Sequence, residues 1–270
     1  FRTFQSELET VYEEYNRAQD NQSRVQQQFL LGKAFEGHPY SRSVLGLPEH
    51  LKNPRLSKLI EFYNQWYTPQ NMVLILVGNV NAQQISGRIN AAFGRLKNHE
   101  LPARKEYPDL NIKGRTQHTA KIGYYPSVYL VYKGVPAGHP DENALKIALS
   151  LLSNGSNTGA LNKLIIDGEL TSGYATTLTF REQGRNIVQV TPLYDENQRR
   201  FESNKSAEKK ALKAIEKIAN GDFEDWTIDA IKNNMCRDFD LMMEDNETKA
   251  EMLLEAFTNE QDLGKVLKIG

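Results

Sequence analysis

The sequence predicts an α+β protein in two lobes, with mixed, largely antiparallel sheets flanked by helices. Three observations carry this. Gly- and Pro-free segments with apolar residues at three- and four-residue steps recur at both ends of the chain. Short apolar runs bounded by Gly or Pro lie between them. A charged stretch with Pro102, Pro108 and Gly114 interrupts the pattern near the middle. The division reads as a first lobe over 1–97, a linker over 98–116 and an incomplete second lobe over 117–270.

Phe4 to Arg17 predicts a helix, with Phe4, Leu8, Val11, Tyr12 and Tyr15 on one stripe. Gln22 to Ala34 predicts a second, ended by Gly37-His38-Pro39. Leu56 to Trp66 is amphipathic through Leu56, Leu59, Ile60, Tyr63 and Trp66, and Tyr67-Thr68-Pro69 stops it. Asn71 to Val77 is a continuous apolar run and predicts a strand covered on both faces. Ala82 to Phe93 predicts a helix closed by Gly94. Beyond the linker, Lys121 to Lys133 is strand-rich, Asp141 to Leu152 and Gly159 to Ile166 are helical, and Ser172 to Phe180 with Asn186 to Pro192 form a hairpin around Arg181–Gly184. Lys205 to Ala219 and Asp225 to Phe257 are long helical stretches.

With 33 basic and 34 acidic residues, the net charge is −1. That balance gives no reason to expect a nucleic-acid partner, which needs a concentrated basic surface. No apolar run approaches the roughly 20 residues of a membrane-spanning helix. The single cysteine, Cys236, has no intrachain partner and no nearby histidine, so it reads as an inert thiol. The compartment stays open, periplasm and cytoplasm alike.

Two carboxylates stand out by position. Glu7 and Glu14 are seven residues apart, nearly two helical turns, and project from one face with Val11 between them. Such a pair can offer a hard oxygen ligand to zinc and a neighbour that orients it. By spacing alone, a solvated helix face is the commoner reading of Glu7, Glu9, Glu13 and Glu14. The histidines His38, His50, His99, His118 and His139 include no helical i, i+4 pair. Ser153 to Gly159 lacks the Gly-Lys-Ser/Thr ending of a phosphate loop and reads as a helix–helix connection. Tyr124, Tyr125, Tyr129 and Tyr132 suit either a sheet or ligand stacking.

Several ordered blocks resemble the M16 zinc metallopeptidases, the family of pitrilysin, insulysin and the mitochondrial processing peptidase. Glu9 to Gln22 (ETVYEEYNRAQDNQ) resembles the helix carrying the third zinc ligand, and Gly37 to Leu51 resembles the His-Pro-Tyr … Gly segment. Leu59 to Asn81 is similar to the family's helix, Tyr-x-Pro-x-Asn-Met, strand and Gly-Asn block. Leu151 to Thr176 resembles the Gly-rich turn, short helix and closing Gly-x-Tyr of a second lobe. The resemblance implies a zinc endopeptidase acting on peptides inside a two-lobed chamber. It places the metal-binding glutamate at Glu14, the accompanying catalytic carboxylate at Glu7, and a substrate contact at Tyr174. For Tyr174 a packing role stays open, because the family's arginine on the preceding short helix is replaced here by Ile166, with Lys163 a turn earlier. The family's His-x-x-Glu-His motif is not found in these 270 residues. The expectation is therefore an internal piece of a longer enzyme, inactive alone, with an incomplete Zn2+ site and partnered by the remaining lobes or a homologous subunit. The alternative is a non-catalytic M16-like partner that completes a peptide-binding chamber.

Overall fold

The computed structural model describes residues 2–52, 54–110 and 112–267. The first lobe is helical. α1 (Arg2–Asp20) and α2 (Gln22–Ala34) are joined at Asn21, whose side chain accepts from the Arg24 amide at 3.1 Å and so caps α2. A positive φ of 90° at Gly37 turns the chain into a 3-10 turn at Pro39–Ser41. α3 (Pro48–Lys52) and α4 (Leu56–Trp66) follow. α4 ends where Tyr67-Thr68-Pro69 enters a second 3-10 turn, Pro69–Asn71. The buried Thr68 hydroxyl bonds Asn98 at 3.1 Å and accepts from the His99 amide at 3.3 Å, which fastens this turn to the start of the linker. α5 (Ala82–Phe93) is capped by Asn81, which accepts from the amides of Gln83 and Gln84.

The second lobe holds the sheet. β1 (Val128–Lys133), β2 (Leu170–Thr179) and β3 (Gly184–Pro192) form an antiparallel sheet in the order β1-β3-β2. α6 (Glu142–Leu152) and α7 (Ala160–Ile166) connect β1 to β2. After β3 come the short pair β4 (Tyr194–Asp195) and β5 (Arg200–Phe201), then α8 (Asn204–Ala219), α9 (Trp226–Met242), α10 (Asn246–Thr258) and α11 (Leu263–Val266). The apolar core lies between one sheet face and α6, α7 and α8. Val188 and Val190 of β3 meet Leu149, Leu152, Leu161 and the small face of α8 made by Ala207, Ala211 and Ala214. Alanines there let α8 approach the strands closely.

Register explains which strand residues remain outside this core. Val128 pairs with Val190 and Leu130 with Val188, so Tyr129, Val131 and Lys133 point to the other face. Gly184 permits the strands to meet at their end: a Cβ there would lie 2.0 Å from the Val135 carbonyl oxygen.

Three expectations are corrected. Asn71 closes the 3-10 turn, and Met72 to Val77 joins no sheet among the described residues and has largely exposed side chains. An apolar run sets the local conformation, whereas a ladder also needs a neighbouring strand. Lys121 to Lys133 becomes a strand only from Val128, because Gly123, with φ of 77°, and Pro126 break its first half. Asp225 to Phe257 is two helices, since Asp245 starts a new one by accepting from the Thr248 amide and hydroxyl.

Candidate functional site

Glu7 and Glu14 both lie on the exposed side of α1. Among the described residues no group of three or more His, Cys, Asp or Glu side chains is placed to hold a metal ion. Three of the five histidines are engaged elsewhere. His99 Nε2 lies 3.1 Å from the Gln65 carbonyl, and His139 Nδ1 accepts from the Asp141 amide at 3.1 Å. His38 is buried. Its Nδ1 accepts from the Tyr40 amide at 3.2 Å, so Nε2 carries the proton it donates to Glu182 at 2.9 Å. The donor set of this chain therefore does not make a zinc site by itself: Glu14 is one oxygen donor with no imidazole beside it.

Tyr174 is 45% exposed on β2, on the sheet face turned away from the core. It stands directly across from Gln189 of β3, which stands across from Tyr129 of β1. Tyr129, Gln189 and Tyr174 thus form one cross-strand row. Burial raises the pKa of both phenols above the usual tyrosine value, with Tyr174 adding to the rise at Tyr129. At neutral pH both are protonated and can donate. Gln189 is held from below, its Nε2 bonding the Thr191 hydroxyl at 3.1 Å while Ser172 bonds the same hydroxyl at 2.9 Å. Gln189 is 6% exposed, so what the row presents to an extended ligand is the donors and ring faces of the two phenols.

Sequence reasoning did not find the junction between the lobes. Arg185 of β3 is 1% exposed, and among the described residues its guanidinium bonds no carboxylate. Nε donates to the Ala34 carbonyl at 2.8 Å, Nη1 to Gly184 at 2.7 Å and Nη2 to Gln183 Oε1 at 3.3 Å. The group also sits 4.5 Å from the Phe35 ring centroid. Burial lowers its pKa from the arginine norm, which Asp109 partly offsets. Phe35, fully buried, packs edge-on against Tyr40 at 5.6 Å and against Phe180 at 5.6 Å. Gln183 Nε2 donates to Pro108 of the linker at 3.2 Å. Glu182 receives Arg181 and His38; burial pushes its carboxyl up, and these bonds outweigh burial and leave it below the usual range. The bonds from His38 to Glu182 and from Arg185 to Ala34 join residues 144 and 151 apart, so no local pattern announces them. Beside the junction a groove of about 1590 Å³ runs between α2, residues 112–127 and the outer edge of β1.

A helical lobe is thus fastened to an antiparallel sheet whose outer face carries tyrosines, and the described residues hold no self-sufficient metal centre. The chain belongs to the M16 peptidase family: residues 55–235 match the family described as the Peptidase M16 inactive domain. It is 25% identical over 244 residues to a zinc protease, PqqE, of Helicobacter pylori, covering 87% of this chain and 53% of that protein. It is 27% identical over 163 residues to subunit 1 of the mitochondrial cytochrome b-c1 complex of Caenorhabditis elegans, covering 60% of this chain and 34% of that one. A crystal structure of a protease from Helicobacter pylori superposes with a TM-score of 0.75 at 21% identity, over 99% of this chain and 66% of the other. The α+β M16 fold is thereby established, and the chain spans about half the length of the zinc protease it matches.

Proposed function

We propose that this chain is the peptide-holding part of an M16 zinc endopeptidase and is inactive by itself. The observation that carries the reading is the row Tyr129–Gln189–Tyr174 on the open sheet face. An extended peptide laid across it would meet two protonated phenols on either side of the buried Gln189, with Tyr174 as the principal contact. Glu14 is the one oxygen ligand this chain would contribute to zinc, with imidazoles supplied by another segment, and Glu7 is the carboxylate that accompanies it. The rest of the chamber comes from further lobes of the same polypeptide or a homologous subunit. Its substrate is a peptide and its partners include no nucleic acid; no described helix is long and apolar enough to cross a membrane.

Two measurements on the purified chain test this. A fluorescent peptide is followed by anisotropy, and cleavage is followed with added zinc. No turnover is expected, and Tyr174→Phe should weaken peptide binding about tenfold, the equivalent of one lost buried hydrogen bond. Zinc-dependent turnover by these 270 residues alone, or unaltered binding in Tyr174→Phe, refutes the reading.

A second reading is favoured by the description of the matching family as an inactive domain. In it the chain completes a peptide chamber for a catalytic partner and Glu14 holds nothing. Adding a polypeptide that carries His-x-x-Glu-His separates the two. Under the first reading turnover appears and is lost in Glu14→Gln, and under the second Glu14→Gln has no effect.

A further inference from the structure

The groove beside the lobe junction carries a charge that the chain as a whole lacks. Against a net charge of −1 for all 270 residues, the residues lining the groove include seven Lys or Arg and two Glu, a local excess of five positive charges. Part of that excess is neutralised in place. Lys33 pairs with Glu36 at 3.0 Å, Arg115 with Glu208, and Lys133 with Asp109 of the linker. Lys113, Lys121 and Lys205 remain, all three exposed and none in an ion pair among the described residues. The buried Arg185 lines the same groove and adds a cation that bonds no carboxylate there.

The groove also has the length and position to take a peptide. β1 flanks it along six residues, about 20 Å of extended chain. Tyr124 and Tyr125, 87% and 68% exposed, stand on its far wall beside Lys121. Tyr129 belongs both to the groove and to the row Tyr129–Gln189–Tyr174, so a peptide held on the row has the groove as its continuation. Carboxylates on that continuation would meet lysines that have no other partner. A nucleic acid fits this surface less well. Glu36, Glu208 and Asp109 interrupt the positive charge and repel an unbroken run of phosphates, whereas a peptide can space its carboxylates to reach the lysines.

We propose that the groove selects peptides carrying Asp or Glu in the segment that passes beyond Tyr129, with Lys113, Lys121 and Lys205 as the specificity-determining contacts. This rests on the reading of the chain as a peptide holder and names the class of peptide it holds.

Two labelled peptides of equal length, identical except that the Glu residues in one half of the first are Gln in the second, are titrated with the chain by fluorescence anisotropy. The acidic peptide should bind about tenfold more tightly, the modest return of exposed ion pairs to the three lysines. The gap should narrow as salt is raised. The triple variant Lys113→Gln/Lys121→Gln/Lys205→Gln changes only exposed side chains, so it should keep its circular dichroism and bind the two peptides equally. Tyr174→Phe should weaken both alike. Binding of both peptides without a charge preference, or a preference that survives the triple variant, overturns the proposal and leaves the peptide-holding reading standing. Binding of neither peptide overturns both. A single-stranded oligonucleotide of the same net charge that binds more tightly than the acidic peptide, and loses that affinity in the triple variant, also overturns it by assigning the lysines to phosphate.

Discussion

Replacing Arg185 by methionine keeps the length of the buried stem and removes the charge and all its donors. The Ala34 carbonyl and Gln183 Oε1 then lose the guanidinium. Gly184 keeps a partner, because its carbonyl also receives the Gly134 amide at 3.0 Å. Two stranded acceptors cost about 1–3 kcal/mol each. Loss of the contact with Phe35 adds about 1–2 kcal/mol. Against this, the variant no longer buries a charge without a directly bonded carboxylate, a relief of several kcal/mol before the hydrogen bonds are counted. The net expectation is a loss of about 3 kcal/mol. With a urea m-value of about 2 kcal/mol/M, the midpoint falls by about 1.5 M at unchanged m. Hydrogen exchange should report faster opening at the C-terminal turn of α2 first. Arg185→Lys should recover little, since an ammonium cannot span the same three acceptors. A loss below about 1 kcal/mol, or a gain, refutes the reasoning: the burial cost of the cation would then exceed what its hydrogen bonds return.

Three further outcomes follow from the same coordinates. Phe35→Ala empties a fully buried ring site and should cost about 3–5 kcal/mol by chemical unfolding. Gly184→Ala should be far worse than Gly155→Ala, because a Cβ at 184 meets the Val135 oxygen at 2.0 Å while one at 155 meets nothing within 4 Å; the second change should stay within about 0.5 kcal/mol. Glu142 is set by burial, which raises its pKa, and by Lys146, the Gly138 amide and Thr179, which together lower it below the usual value. Its contribution is therefore present above the unfolded carboxylate pKa of about 4.3 and lost as pH falls through the folded value. The stability gap between the parent chain and Glu142→Gln should accordingly close in acid, as followed by urea midpoints at stepped pH.

What the sequence made legible was local. The bounds expected for α2 and α4 coincide with those observed, since Asn21, the Gly37-His38-Pro39 break and the Tyr67-Thr68-Pro69 stop all act within a few residues of the helices they delimit. The hairpin of β2 and β3 was legible from the charged turn at Arg181–Gly184. The split between α9 and α10 is signalled by Asp245-x-x-Thr248, a local cap inside a longer run of helical composition. What stayed hidden depends on who sits opposite whom. The Asn71–Val77 run has strand chemistry with no strand beside it, and the Tyr129–Gln189–Tyr174 row exists only once register is set. Glu7 and Glu14 are both exposed on α1, and their spacing by itself carries no metal site. Arg185 looked like any strand-end cation, because its acceptors come from a helix end, a neighbouring turn and its own strand.

The corner where Ala34, Phe35, Arg185 and Gln183 meet also has a mechanical meaning. A planar cation gripping oxygens from both lobes resists shear and twist together, so α2 and the end of β3 turn as one lever. Any breathing of the adjacent groove must then come from its far wall, residues 112–127. That wall touches α2 through the bond from Gln26 to the Ile122 carbonyl at 3.3 Å. Entry to the groove is thus governed by the compliance of one strap against a stiff frame, and stiffening that strap would slow access without moving the lobes.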